Sequence, residues 1–319
     1  MSSFEVTKNF PRISRENISV KCIDQKWKNF PKAILPRMCA DKLDFYKNFC
    51  IRPNDIFILG YPRSGTSRLQ ELVWIIANDF DFKTLVEYDA DARCINFEIR
   101  DWSLKWREKT LISSLEDMPS PRLMKSHLPA QLLPNEVWTK KPKLFYISRE
   151  VKDVAISQFH LLSCSYSNSI NFDDYLEDFL NDNVMFSPYR ENLWNYLNLP
   201  DYENILYLTY EEMSADLDLA IDKVAEFLEK SVSDENAEKI KDYLKFENMK
   251  ARKTNDNKQT YNILLKHLNS NNHKDYNFIR KGVVGGYKNE MSSVYIDKFD
   301  EWFAKSKSLN QGFNYTEKF

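Results

Sequence analysis

Residues 56–68 read IFILGYPRSGTSR. The apolar run Ile56–Leu59 ends at Gly60, and Gly65 and Ser67 complete the frame G-x-x-x-x-G-x-[ST] of a phosphate-gripping loop. Thr66 stands where such a loop carries the lysine that reaches the β and γ phosphates of ATP. A strand that runs through this loop into a helix places an anion at the helix N-terminus. Pro62 has no amide hydrogen to give, so the amides of Ser64, Gly65, Thr66 and Ser67 are expected to point at that anion, helped by the three hydroxyls. Arg63 sits on the loop crest, where it sets a cation over a neighbouring group. The geometry suits one terminal phosphate better than a triphosphate with magnesium. The bland alternative is a plain strand–turn–helix connection.

Three further β-like runs follow: RLMKS (122–126), KLFYIS (143–148) and NILYLTY (204–210), after DIFIL (55–59). Helix-length segments separate them. TSRLQELVWIIAND puts Leu69, Leu72, Val73 and Ile76 on one face, and KDVAISQFHLL and DLDLAIDKVAEFLEK (216–230) follow the later strands. Alternating strands and helices predict an α/β fold: a single domain over 1–319, with a central parallel β-sheet flanked by helices. Residues 254–277, rich in Asn and Lys, are expected to form a flexible surface loop. Ligands of open parallel sheets collect beyond the carboxyl ends of the strands. The strands deliver the glycine loop, then Lys125 and His127, then Arg149, then Tyr210 to one rim.

Bulk properties narrow the choice. With 45 basic and 47 acidic residues the formal charge is -2, so no global field recruits nucleic acid or anionic lipid, and any anion site is local. No run approaches a membrane span and the opening residues hold no signal-like apolar stretch, so a cytoplasmic protein is expected. The 5 cysteines (Cys22, Cys39, Cys50, Cys94, Cys164) form no C-x-x-C pair and read as reduced thiols without a structural metal. Of 6 glycines, only Gly312 lies outside the opening loop and the segment RKGVVGGYKN, which marks those two as places of sharp bending or close approach.

Among the 4 histidines, His160 lies in a helical pattern and His267 and His273 in the polar loop. His127, at a strand end, is best placed as a general base; away from an anion loop it reads as a structural histidine. Arg149 and the helix-borne Ser157 make a clamp for a second phosphate, or Arg149 pairs with Glu150 or Asp153. Arg280, Lys281 and Gly282 offer two cations and a close-approach glycine, or a solvated turn.

Together these segments resemble the cytosolic sulfotransferase family. YPRSGTSRLQELVWII is similar to its 5'-phosphosulfate loop, YPKSGTTW; RLMKSHLPAQLLP to its RLLKTHLP segment; FYISREVKDVAISQFHL to its 3'-phosphate motif, Y-x-x-R-N-x-K-D-x-x-x-S. ILYLTYEEM and RKGVVGGYKN resemble its later tyrosine and R-K-G-x-x-G-D-W-K elements, so the likeness covers about residues 40–315. The resemblance implies 3'-phosphoadenosine 5'-phosphosulfate as donor, adenosine 3',5'-bisphosphate as product and no metal. It explains the missing lysine, because no γ phosphate has to be reached. By position it implies a loop grip on the 5'-phosphate by Arg63, Ser64, Gly65, Thr66 and Ser67. Arg149, Ser157, Arg280, Lys281 and Gly282 would hold the 3'-phosphate, and Arg68, Tyr210, Phe246 and Met249 the adenosine. It makes His127 the base, with Arg63 and Lys125 beside the developing charge. Phe159, Leu161 and Phe186 are candidate contacts for a small apolar hydroxyl-bearing acceptor, and residues 1–40 an extension packing on the acceptor side.

The chain departs from the family pattern in several places. Arg63 replaces the loop lysine and cannot donate a proton near neutral pH; Arg68 replaces the adenine-stacking tryptophan; Glu150 replaces an asparagine, placing a negative charge near the expected 3'-phosphate site. The dimer segment survives only as Lys288, Ser292, Ser293 and Asp297, which leaves a monomer or weak homodimer. Two other readings stand beside transfer to a hydroxyl: dehydration of an allylic alcohol through a sulfated intermediate, and a nucleotide-binding protein with little turnover. A kinase comes last, without the P-loop lysine or an acidic Walker-B strand.

Overall fold

The computed structural model of the chain describes residues 4–7, 17–22, 32–98, 115–165, 170–199, 203–252 and 279–307. The expected surface loop at 254–277 lies outside the described residues, as does most of 1–40. Strands β1 (Phe4–Thr7), β2 (Asn17–Cys22) and β3 (Ala33–Pro36) form an antiparallel sheet in that order. The main sheet holds β4 (Ile56–Leu59), β5 (Ile95–Asn96), β6 (Leu123–Ser126), β7 (Lys143–Ser148) and β8 (Ile205–Thr209). Its order is β5-β6-β4-β7-β8 and every pairing is parallel.

Such a sheet is covered on both faces, which is why β4 and β7 are unbroken apolar runs and not alternating ones. Phe57 and Leu59 join one core, Ile56 and Ile58 the other. The four predicted strands stand within a residue of their expected limits, with one correction. Tyr210 does not end β8; it opens the helix Tyr210–Ala215. The Thr209 side chain accepts from the Glu212 amide and Glu212 reaches back to the Thr209 amide, a capping box that stops the strand. The two-residue β5 and the antiparallel sheet were not foreseen.

Helix Thr66–Ala77 buries Leu69, Leu72, Val73 and Ile76 as its spacing predicts. Gln70, Glu71, Trp74 and Ile75 are buried too, because helices Leu217–Phe227 and Asp234–Leu244 pack against it. Glu71 is tolerated there since Arg93 donates to it at 2.8 Å and the Tyr243 hydroxyl at 3.0 Å.

At the amino ends of the strands Asp55 and Arg122, just ahead of β4 and β6, form a buried fork at 2.8 and 2.5 Å. Asp55 also accepts from the Arg52 amide, and Arg122 donates to the Cys50 carbonyl at 2.8 Å. The pair sets where both strands begin. Their register then brings Leu59 level with Ser126 and Tyr146, and Ser148 level with Thr209. Four strand ends thus open on a common margin.

Candidate active site

A cavity of about 430 Å³ lies at that margin. Gly65 opens helix Thr66–Ala77 with φ 100°, a conformation that glycine adopts without strain. A Cβ there would stand 2.5 Å from the Tyr210 ring, so the position also needs glycine for space. The first backbone bonds of the helix run from Arg68 and Leu69 back to the Gly65 carbonyl. The amides of Gly65, Thr66 and Ser67 therefore precede the helical ladder and face the cavity that these residues line. Ser64 is a correction: its amide is spent on the Tyr61 carbonyl at 3.1 Å, and the residue is buried behind the loop, off the cavity wall. A tight turn before the helix uses that amide to close itself.

Arg63 and Arg68 line the cavity. The Arg63 Nε donates to Ser157 Oγ at 2.9 Å, and Arg68 Nη1 donates to Ser214 Oγ at 3.1 Å. Arg149 lies 4.3 Å over the Tyr210 ring, and its Nη2 donates to the Val283 carbonyl at 2.9 Å and sits 3.5 Å from Asp153. Tyr210 in turn donates to the Gly282 carbonyl at 3.0 Å. Gly282, at φ 64°, lets the Phe246 ring pack directly on the backbone; a Cβ would overlap the ring. Met249, Arg280 and Lys281 complete this half of the wall. Two buried polar atoms of this wall, Arg68 Nε and Arg149 Nε, have no hydrogen-bond partner among the described residues. Orphaned donors beside unspent helix amides are what a site for a multiply charged anion requires.

Glu150 is not part of this wall. Its carboxylate turns to Lys152 at 3.0 Å, so the negative charge expected near the second phosphate points away from the cavity.

The other half of the wall centres on His127. Its Nδ1 lies 2.7 Å from the Gly60 carbonyl oxygen. A carbonyl only accepts, so Nδ1 carries the hydrogen and Nε2 keeps its lone pair. Burial, with the charges of Lys125 and Arg63, pushes the His127 pKa down to about 4 against the bond to Gly60, so the imidazole is a neutral base at pH 7. Glu98 accepts from the His127 amide and from Ser126 Oγ, which fixes the strand end that carries the ring. Burial raises the Glu98 carboxyl to about 7, against its hydrogen bonds from His127 and Ser126. Lys125 is buried and lies 3.5 Å from Asp91.

Leu161 and Phe186 line the cavity, and the Phe186 ring meets His127 edge-on at 5.6 Å. Phe159 does not line it; that expectation fails, because its ring packs on Phe172 at 4.7 Å and on Tyr175. On the helix Val151–Ser165, positions 157 and 161 share a face, whereas 159 is turned about 200° from 157. Pro36, Met38 and Cys39, beside Asn96, Glu98, Gln158 and Met185, also line the cavity, and sequence reading missed them. They come from scattered segments with no shared pattern. Among the described residues no group of three metal-ligating side chains occurs, and no helix is long and apolar enough to cross a membrane.

A parallel sheet, a lysine-free glycine loop at a helix N-terminus and a neutral histidine on the same cavity suit a group transferase that binds a nucleotide. The chain belongs to the sulfotransferase family: residues 53–311 match the sulfotransferase domain. It is 34% identical over 276 residues to the luciferin sulfotransferase of Photinus pyralis, covering 82% of this chain and 74% of that one. Among solved structures, retinol dehydratase in complex with retinol and PAP superposes with a TM-score of 0.80 at 24% identity, covering 98% of both chains. A mouse sulfotransferase, SULT7A1, complexed with PAP superposes at 0.64 with 28% identity, over 86% of this chain and 91% of that one. The protein is therefore a sulfotransferase.

Proposed function

We propose that the protein transfers a sulfuryl group from 3'-phosphoadenosine 5'-phosphosulfate to the hydroxyl of a small, mostly apolar alcohol or phenol of steroid, retinoid or phenolic type, with His127 as general base. The observation that carries this reading is the bond from His127 Nδ1 to the Gly60 carbonyl, which leaves Nε2 as an acceptor where the two halves of the cavity meet. The donor, when bound, supplies the sulfuryl group and leaves as adenosine 3',5'-bisphosphate.

The chain's own groups divide the work. Amides of Gly65, Thr66 and Ser67, with the hydroxyls of Thr66 and Ser67, hold the 5'-phosphate. Arg149, Ser157, Arg280, Lys281 and the backbone of Gly282 hold the 3'-phosphate. Tyr210, Phe246 and Met249 enclose the adenosine, and the Arg68 guanidinium stacks against it. His127 Nε2 takes the acceptor's proton. Arg63 and Lys125 stabilise charge that develops between donor and acceptor, through electrostatic preorganisation and not proton donation. Leu161, Phe186, Met185, Met38 and Pro36 supply an apolar seat for the acceptor. The buried thiols of Cys39 and Cys94, which form no disulfide, suit a reducing cytoplasm, and the reading requires no nucleic acid, metal or membrane.

The test is incubation with isotope-labelled donor and a mixed panel of phenols, sterols, retinoids and amines, read by mass spectrometry. Sulfated alcohols or phenols and stoichiometric adenosine 3',5'-bisphosphate are expected. An unsaturated product in place of the sulfate ester would move the assignment to dehydration, and nucleotide binding without product would remove transfer altogether.

The pH dependence follows from the depressed histidine. A base with a pKa of about 4 stays unprotonated down to mildly acid solution, so His127 itself should add no limb to kcat/KM between pH 8 and about 5 and should make it fall as pH drops through about 4. An unperturbed histidine would give a limb near 6.5. Glu98 titrates within the range, near 7, so the profile is compared with that of Glu98→Gln, where only the lower limb should remain. A limb centred at 6.5 in both proteins would remove His127 as the buried base.

A further inference from the structure

Glu290 follows the short turn Gly286–Asn289 and meets three side chains that carry or can carry positive charge. Arg280 Nη1 donates to its Oε1 at 2.9 Å, Lys281 Nζ to the same oxygen at 2.7 Å, and His160 Nε2 to its Oε2 at 2.5 Å. Asp153 holds the turn in place by accepting from the amides of Gly285 at 2.8 Å and Tyr287 at 2.9 Å. The carboxylate is thus anchored to helix Val151–Ser165, the element that also presents Ser157 to the cavity. Hydrogen bonds from Lys281, His160 and Arg280 bring the Glu290 carboxyl down to about 2 against its burial, so it is ionised at every working pH.

Arg280 and Lys281 line the cavity, but their charge is already directed at a carboxylate that does not line it. One anion must give way for another: a cation shared between a carboxylate and a phosphate gives less to each than to either alone. We propose that Glu290 is a built-in competitor for the donor's 3'-phosphate. It holds Arg280 and Lys281 while the nucleotide is away and takes them back as the product nucleotide leaves. This rests on the 3'-phosphate role given to those two residues above. The competition weakens the grip on donor and product alike. That trade favours turnover wherever release of adenosine 3',5'-bisphosphate limits the rate.

The variant Glu290→Gln keeps shape and removes charge at a partly exposed position. Calorimetric titration of the wild type and the variant with adenosine 3',5'-bisphosphate and with adenosine 5'-phosphate tests the idea. The first nucleotide should bind the variant about 3- to 10-fold more tightly, the scale of two partly exposed ion pairs released from competition. The second lacks the 3'-phosphate and should bind both proteins alike. The bisphosphate should also dissociate more slowly from the variant in stopped-flow displacement. Unchanged or weaker bisphosphate binding would overturn the proposal, making Glu290 a buttress that orients Arg280. A gain shared equally by both nucleotides would overturn it as well. If the wild type bound neither nucleotide, the donor reading would fall and take this inference with it. Glu290→Ala, checked by thermal unfolding, repeats the comparison without an amide in place of the carboxylate.

Discussion

His127→Ala should cut turnover by roughly 10²- to 10⁴-fold while leaving affinity for adenosine 3',5'-bisphosphate within about twofold. The ring bonds the Gly60 carbonyl and meets the edge of Phe186, and neither belongs to the loop amides, Arg149 or the 280–282 segment. Removing it therefore deletes a proton acceptor without touching the groups that would grip the nucleotide. Single-turnover rates with saturating donor, set beside a binding titration, separate the two quantities. A variant that keeps its rate would dismiss the base role. One that loses nucleotide binding in parallel would mean that the ring props the Gly60 turn and so acts through the loop.

Asp55→Ala should lower stability by about 3–5 kcal/mol. Asp55 has no exposed surface and accepts from Arg122 Nε and Nη2 and from the Arg52 amide. Truncation leaves a buried guanidinium facing an empty space where its counter-ion stood, and the surrounding core prevents water from replacing it. The double change Asp55→Ala with Arg122→Met should be milder than the single one, because no charge is then stranded. Denaturant midpoints for the four proteins decide it: a double variant no more stable than Asp55→Ala alone would contradict the argument. Loss here would shift both β4 and β6, so activity should fall together with stability.

Much of the fold could be read in the chain because its parallel strands are buried on both faces. β4 and the middle of β7 appear as unbroken apolar runs, and these strands and β6, which ends in Lys125 and Ser126, are each followed by a residue of distinctive chemistry: Gly60, Arg149 and His127. The half of the cavity built from the glycine loop, Arg149 and Tyr210 was legible for the same reason, since residues at the ends of neighbouring strands must share a margin. The half around Met38 and Met185 was not. Pro36, Met38, Asn96 and Met185 become neighbours through long-range packing, and no local period marks them. Phe159 was misplaced by counting along the chain where the angle around the helix decides. Ser64 was misplaced because a turn consumes its own amides, and Tyr210 because a capping box outranks an aromatic residue's strand preference.

The antiparallel sheet has a further consequence. Ile34 in β3 exchanges backbone hydrogen bonds with the wall opposite, donating to the Ser187 carbonyl at 2.8 Å and accepting from the Phe186 amide at 2.6 Å. The strand that leads to Pro36, Met38 and Cys39 is thus fastened by main chain, whatever side chains it carries. If this margin is the acceptor seat proposed above, exchanges at Met38 and Cys39 would reshape it while the main-chain clasp that positions the strand stayed in place.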